Sequence, residues 1–325
     1  MIMNTYFYSA STTSTFGSKH RKQDISVSDL LEIQQSALRV HTQKGNRSML
    51  AQLIAFAGRE VTIRKINTDF CIGFADHLLM SVKVNSARTY LQKLHALLHN
   101  AVRLGYISCN PMPPIADLLP KYKAPEREYL DRNEIRKLER TQCRHETTKL
   151  AFLFSCHTGL RISDIETLTW GDIYRQKGKY LISKIQVKTG VEVRIPLDAA
   201  AEDILQQLQT QNPPQRNERI FSLKSRTVVS QDLNEWALAA GIEKHVTFHV
   251  ARHTFATLMI TQKTDIYTVS QLCGHTSIQT TLVYVRLVDS ARFEAMEGLD
   301  ELFGYPRSRK PVKLTLPYRA AGKKT

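Results

Sequence analysis

The chain has 325 residues, 42% of them hydrophobic and 23% charged, which is room for two ordinary folded domains and unlike the composition of a disordered or fibrous chain. No apolar run approaches the roughly 18 residues of a membrane span, the first 22 residues do not read as a secretory leader, and five scattered cysteines fit reduced thiols better than disulfides, so a cytoplasmic protein is expected. The net charge of +15 is uneven: Lys+Arg against Asp+Glu is 15 to 7 over residues 1–125, 23 to 23 over 126–304 and 7 to 0 over 305–325, an asymmetry that fits either a grip on a polyanion by the flanking parts or plain solubility charge.

In chain order, residues 1–24 read as an extension. From Ile25 to residue 109 the pattern is helical, with Ser28 before Asp29-Leu30-Leu31 resembling a helix start. Tyr90, Leu91, Leu94, Leu97, Leu98 and Val102 keep helical spacing up to Gly105. Arg88 and Lys93 in this region, with Lys121 and Lys123 beyond it, are candidate contacts to a nucleic-acid backbone. Residues 110–126 are proline-rich, basic and without apolar period, which predicts an interdomain linker.

A second domain is expected over residues 127–304. Asp131 caps a helix through Leu138, and residues 147–157 make an apolar helix ending in the turn His157-Thr158-Gly159. Arg161 follows that turn at the start of a helical segment, where a guanidinium beside free backbone N–H groups suits a phosphate; an ion pair with Asp164, three residues on, is the plainer alternative. Tyr180–Val187 and Val191–Ile195 alternate like a β-hairpin with Lys188 at its tip, and a turn lysine taken alone is ordinary exposed charge. Helices are predicted over Arg226–Ala240, Phe248–Thr261, Ile266–Leu272 and Ser277–Val285.

His249 and Arg252 share one face of the second of these helices and could offer a proton carrier and a bidentate clamp to one group, with His253 on the adjacent face. Tyr284 near the end of the last would by itself be a core tyrosine. The only close Cys/His pairs, Cys143 with His145 and Cys273 with His275, lack a second half-site at zinc spacing, so no metal centre is expected. Residues 305–325 form a basic tail, read as disordered in the absence of a polyanion.

Taken together these segments resemble one family. Thr158-Gly159-Leu160-Arg161-Ile162-Ser163-Asp164 is similar to the first arginine box of the tyrosine recombinases, the class of phage integrases, Xer and Cre. Val187-Lys188-Thr189-Gly190 is similar to their hairpin lysine, and His249-Val250-Ala251-Arg252-His253-Thr254-Phe255-Ala256-Thr257 to their HxxR box. Leu272-Cys273-Gly274-His275 through Tyr284 resembles the final box, with the tyrosine nine residues after the histidine. The likeness extends over residues 25–300; Ala251, where a larger residue is common, and the basic extension after Tyr305 are small departures that touch no catalytic position.

The resemblance implies a mainly α, two-domain protein: a helical SAM-like core-binding domain, then a mixed α+β catalytic domain of the tyrosine recombinase and type IB topoisomerase fold. It implies a site-specific recombinase that binds double-stranded DNA and assembles as a homotetramer on two sites, with a C-terminal segment such as Ala291–Phe303 docking on a neighbour. No metal or other cofactor enters. Tyr284 would attack the phosphate, Arg161 and Arg252 would hold its oxygens, and His249 would assist proton transfer at the tyrosine. His275 would hydrogen-bond the phosphate and Lys188 would protonate the leaving 5′-oxygen, while Asp164 would orient Arg161 and His253 would support the site from behind. A type IB topoisomerase, a non-catalytic DNA-binding protein on the same fold and a metal-dependent nuclease are the competing readings; the last lacks a cluster of carboxylates. With only 24 residues ahead of Ile25, an invertase, resolvase or simple mobile-element enzyme is expected rather than an integrase with an arm-binding domain.

Overall fold

A computed structural model of the chain describes residues 24–35, 40–121, 127–209 and 213–285. The chain divides into two compact units between residues 125 and 126.

The first unit is helical: α1 (Val27–Gln35), α2 (Val40–Ala57), α3 (Thr68–Ser81), α4 (Val84–Arg103) and the short α5 (Ile115–Leu118). The cap of α1 is Ser26 rather than Ser28, its hydroxyl accepting the Asp29 amide at 3.0 Å, because Ser28 already lies inside the helix. Asn67 caps α3 in the same way through the Phe70 amide. The α4 pattern buries Leu91, Leu94, Leu97, Leu98 and Ala101 against Met49 and Leu53 of α2 and Phe74 and Leu78 of α3, forming a core of the unit's own.

The second unit begins with α6 (Arg132–Arg140), whose start is fixed by a capping box between Asp131 and Glu134. Next comes α7 (Glu146–Thr158), apolar on nearly every side, with Leu150 through Cys156 buried. The four-residue α8 (Ile162–Ile165) leads to an antiparallel sheet of β1 (Ile173–Gln176), β2 (Lys179–Ile185) and β3 (Glu192–Pro196) in the order β1-β2-β3, with Ile182 opposite both Ile173 and Ile195. Helices α9 (Ala199–Leu208), α10 (Arg226–Ala239), α11 (Phe248–Thr261), α12 (Ile266–Cys273) and α13 (Gln279–Val285) complete it. Three of these elements were not anticipated from the sequence, α5, β1 and α9; α9 carries a start signal in Asp198, which accepts the Ala201 amide. No helix among the described residues is long and apolar enough to cross a membrane.

Helices α7 and α11 pack along one another, and α11 is buried from Phe248 to Thr257 except at His249. Gly159 ends α7 in the left-handed region (φ 69°), and a Cβ there would sit 2.5 Å from Cδ1 of Phe255 on α11. Both constraints act together, so Gly159→Ala should destabilise the protein by roughly 2–4 kcal/mol, the left-handed backbone and the overpacking each contributing. A denaturant titration reads this as a lower midpoint at unchanged slope; an unchanged midpoint would mean that Phe255 moves aside at no cost.

Candidate active site

The turn at Gly159 brings two arginines together. Arg252 on α11 is 2% exposed, and its Nη1 donates to the Gly159 carbonyl at 2.7 Å, while Nη2 is buried without a hydrogen-bond partner. A charged N–H left unpaired in a protein interior costs on the order of 1–3 kcal/mol or more, so a bound anion that accepted from it would be stabilised. Arg161 is the N-cap of α8, half-buried, and its Nη1 donates to Oε1 of Gln186 at 2.5 Å, the one side-chain hydrogen bond of Arg161 among the described residues. Desolvation and the neighbouring Arg252 charge pull the Arg161 pKa below its usual value, a strain that a phosphate between the two would relieve.

The expected Arg161–Asp164 pair does not form. Arg161 has extended backbone angles (φ −75°, ψ 156°), so helical i,i+3 geometry does not apply to it. Asp164 is fully buried and instead accepts the Val187 amide at 2.9 Å, holding the base of the hairpin turn.

Tyr284 lies on α13, which packs on α11 and α12, and is 1% exposed. Its hydroxyl meets Nδ1 of His253 at 2.8 Å, so a His253 ring protonated on Nε2 accepts the phenol proton's hydrogen bond. The resemblance implied proton transfer at the tyrosine by His249; α11 brings His253 to the hydroxyl instead, and the exposed His249 stands edge-on to His253 with ring centroids 4.6 Å apart. His275 stacks parallel to the Tyr284 ring at 6.3 Å and is steadied by Thr281, whose Oγ1 is 2.8 Å from its Nδ1. Gly274, left-handed at the end of α12, turns the chain so that His275 faces inward.

Two residues went unremarked in the sequence. Arg127 places Nη1 3.4 Å from the Tyr284 hydroxyl and its guanidinium 5.5 Å from the ring centroid; its segment is pinned to α11 by the Leu130 amide donating to Thr254 Oγ1 at 2.9 Å. No local pattern marks it, since it lies 157 positions from Tyr284. Gln186, two residues before Lys188, is the other; an amide after an alternating strand looks like any surface glutamine, but here it is 1% exposed.

Lys188 is exposed in the turn between β2 and β3 and close enough to act on His249 electrostatically. Of the proposed backbone contacts in the first unit, Arg88 donates to the Pro120 carbonyl at 3.3 Å. Lys93 crosses to α2, where Gly45 makes room for its stem and Asn46 accepts at 3.0 Å, which makes it an α2–α4 tie. Lys121 is exposed, and Lys123 lies outside the described residues, as do residues 1–23 and the tail 305–325. Among the described residues no group of three or more His, Cys, Asp or Glu side chains could hold a metal ion.

The electrostatics favour the neutral form of each imidazole and of the phenol. Desolvation, then the charges around them, lower His253 and His275 to about 3 from an ordinary 6.5. His249 falls to about 4 through desolvation and then through the charges of Arg252, Arg161, Arg127 and Lys188. Tyr284 is pushed above its usual pKa, by burial first and Cys273 second, against the opposing pull of Arg127 and Arg252. The resting cleft therefore holds a protonated phenol, neutral imidazoles and unmatched positive charge.

Comparison with known proteins agrees with this geometry. The model of the phage integrase family matches residues 128–290, and that of the phage integrase SAM-like domain matches residues 27–124. The chain belongs to the phage integrase family of tyrosine recombinases. It is a site-specific DNA recombinase, an enzyme that cleaves and rejoins DNA strands. The recombinase is 25% identical over 278 residues to a tyrosine recombinase of Thermosipho africanus, covering 80% of this chain and 93% of that protein. It is 26% identical over 296 residues to the tyrosine recombinase XerC of Pelobacter propionicus, covering 83% and 91%. Its fold matches the XerH recombinase in a post-cleavage complex with palindromic difH substrate (TM-score 0.67, 17% identity, 83% of this chain and 84% of that one). It also matches a lambda integrase dimer bound to a COC′ core site (TM-score 0.63, 21% identity, 80% and 77%). These support the mainly helical two-part architecture with its small sheet.

The charge pattern sets a pH behaviour. Lowered imidazole pKa values mean that His249, His253 and His275 stay neutral in the DNA-free recombinase, so their Cε1 signals in 13C-labelled protein should not titrate between about pH 5 and 8. An anionic phosphate in the cleft stabilises the imidazolium form, so added duplex should move the midpoints upward. Midpoints already near 6.5 without DNA would contradict the account.

Proposed function

We propose that this recombinase breaks and rejoins a specific site in double-stranded DNA through Tyr284, with Arg161 and Arg252 as the phosphate clamp. The Tyr284 oxygen attacks the scissile phosphorus, the bond to the 5′-oxygen breaks, and a 3′-phosphotyrosyl link keeps the ester energy for rejoining to a second strand. The phenol proton passes to His253, with His249 beside it at the mouth, and Lys188 supplies the proton that the departing 5′-oxygen takes up. His275 hydrogen-bonds a phosphate oxygen, and Arg127 steadies the phenolate. Asp164 and Gln186 hold the turns that carry Lys188 and Arg161. Two guanidinium groups supply the charge stabilisation that a divalent ion brings to other phosphoryl transfers, so the scheme contains no metal or other cofactor.

The observation that carries this reading is the buried, unpartnered Nη2 of Arg252 in a cleft that also gathers Arg161, three neutral histidines and the Tyr284 hydroxyl. The DNA sites named with the XerH and lambda integrase structures support DNA as the ligand. We divide the chain into a core-binding domain at 25–109, an interdomain segment at 110–126 whose Met112 and Leu119 pack into the first unit's core, and a catalytic domain at 127–304, flanked by the extension 1–24 and the basic tail 305–325. The basic first part and the neutral catalytic part both contact the duplex, in keeping with the distribution of charge. Four protomers pair two duplexes, joined by a C-terminal segment such as Ala291–Phe303, which lies outside the described residues. Bacterial relatives support action on nucleoid DNA in the cytoplasm.

The test begins with duplexes selected from a random pool on immobilised Tyr284→Phe protein. A nicked version of the recovered site, incubated with wild-type recombinase in EDTA, should give a protein–DNA adduct on a denaturing gel, and Tyr284→Phe should give none. Sedimentation of the uncleaved complex should give four protomers on two duplexes. Tight binding without an adduct would favour a DNA-binding protein that has lost catalysis, and an adduct that EDTA abolishes would overturn the arginine-based scheme.

A further inference from the structure

We propose that Gln186 is a positioning residue for strand cleavage, setting the Arg161 guanidinium and the Lys188 turn in one frame without cancelling the charge of Arg161. This rests on the reading above, in which both residues act at the scissile phosphate.

The side chain of Gln186 is buried and makes three hydrogen bonds. Its Oε1 accepts from Arg161 Nη1 at 2.5 Å and from the Thr189 hydroxyl at 2.9 Å, and its Nε2 donates to the Cys273 carbonyl at 3.0 Å. Its backbone closes the turn around Lys188, the amide donating to the Val191 carbonyl at 2.9 Å and the carbonyl accepting from Gly190 at 2.8 Å. One amide thus touches three segments: the arginine at the head of α8, the residue after the hairpin lysine, and the end of α12, two residues before His275. The neighbouring backbone is shaped to admit it. A Cβ on Gly274 would lie 2.5 Å from Gln186 Oε1 and 2.6 Å from its Cδ, so the glycine is needed there for space as well as for its left-handed φ of 61°.

The chemistry of the amide explains why glutamine suits the place. A neutral acceptor orients the guanidinium while leaving its charge and its remaining donors for a phosphate. A carboxylate of the same shape would neutralise Arg161 and could not donate to Cys273. An aliphatic side chain of the same size would leave the Arg161 donor, the Thr189 hydroxyl and the Cys273 carbonyl without partners.

The experiment measures single-turnover cleavage of the nicked selected duplex by wild type, Gln186→Leu and Gln186→Glu. Each is assayed with an ordinary 5′-oxygen and with a bridging 5′-sulfur, whose thiolate leaves without needing a proton. Gln186→Leu should lose about 100-fold in rate, the scale of a misplacement near 1 Å, with duplex affinity near wild type and a lowered melting temperature from the polar groups left unpaired. The sulfur substrate should restore about tenfold, the share owed to Lys188, and leave the share owed to Arg161. Gln186→Glu should not rescue the rate on either substrate, because the carboxylate cancels the clamp. Should Gln186→Leu fail to fold, Thr189→Val removes only the hydroxyl contact, and its smaller loss should disappear on the sulfur substrate. Rates within about threefold of wild type, or a loss in Gln186→Leu that matches a fall in DNA binding and is equal on both substrates, would overturn the proposal. An inactive wild type would instead remove the reading on which it rests.

Discussion

The structure is organised around like charge held together. Arg161 and Arg252 share one cleft with Arg127 and Lys188 within electrostatic reach, and three imidazoles beside them are kept neutral by burial and by those same charges. Such an arrangement opposes folding unless it is held from behind, and the holding parts can be named. The Gly159 carbonyl takes one Arg252 donor, the Gln186 amide takes one from Arg161, and α11 buries the Arg252 stem along the length of α7. Nη2 of Arg252 and Oδ2 of Asp164 remain buried without a partner among the described residues. The free Arg252 donor gives an anion a place to bind, and the protonated Tyr284 hydroxyl sits on His253.

This constraint separates what was legible in the sequence from what was not. The turn chemistry of His157-Thr158-Gly159 and Val187-Lys188-Thr189-Gly190, and the apolar runs of α7 and α11, carry local signals, and both the turns and the helices lie where those signals put them. β1 is four residues long with half its positions exposed, too short to show alternation. The contacts that finish the site are long-range and leave no period behind. Arg127 reaches Tyr284 from 157 positions away in the chain, and Gln186 gains its role only because three segments converge on it. The choice between His249 and His253 as the tyrosine's neighbour depends on the rotation of α11 about its axis, which a motif does not specify.

Asp164 and Lys93 show the same limit from the other side. Both are charges that a sequence reading assigns to an obvious partner, a nearby arginine in one case and a nucleic-acid backbone in the other. The structure uses Asp164 to hold the Val187 amide and Lys93 to tie α4 to Asn46 of α2. Buried or half-buried charge goes first to satisfying backbone and neighbouring polar groups, and only what is left over, as at Arg252, is free to meet a ligand.

The central claim is that the paired arginines are held in the cleft to neutralise the scissile phosphate. It is tested most directly by replacing that phosphate in the nicked duplex with an uncharged methylphosphonate and comparing cleavage by wild type and by Arg252→Ala. The account predicts that Arg252→Ala loses about 100- to 1,000-fold on the natural phosphate and comes close to wild type on the neutral one, where there is less charge to stabilise. An equal loss on both substrates would contradict it, and would make Arg252 a structural strut between α7 and α11.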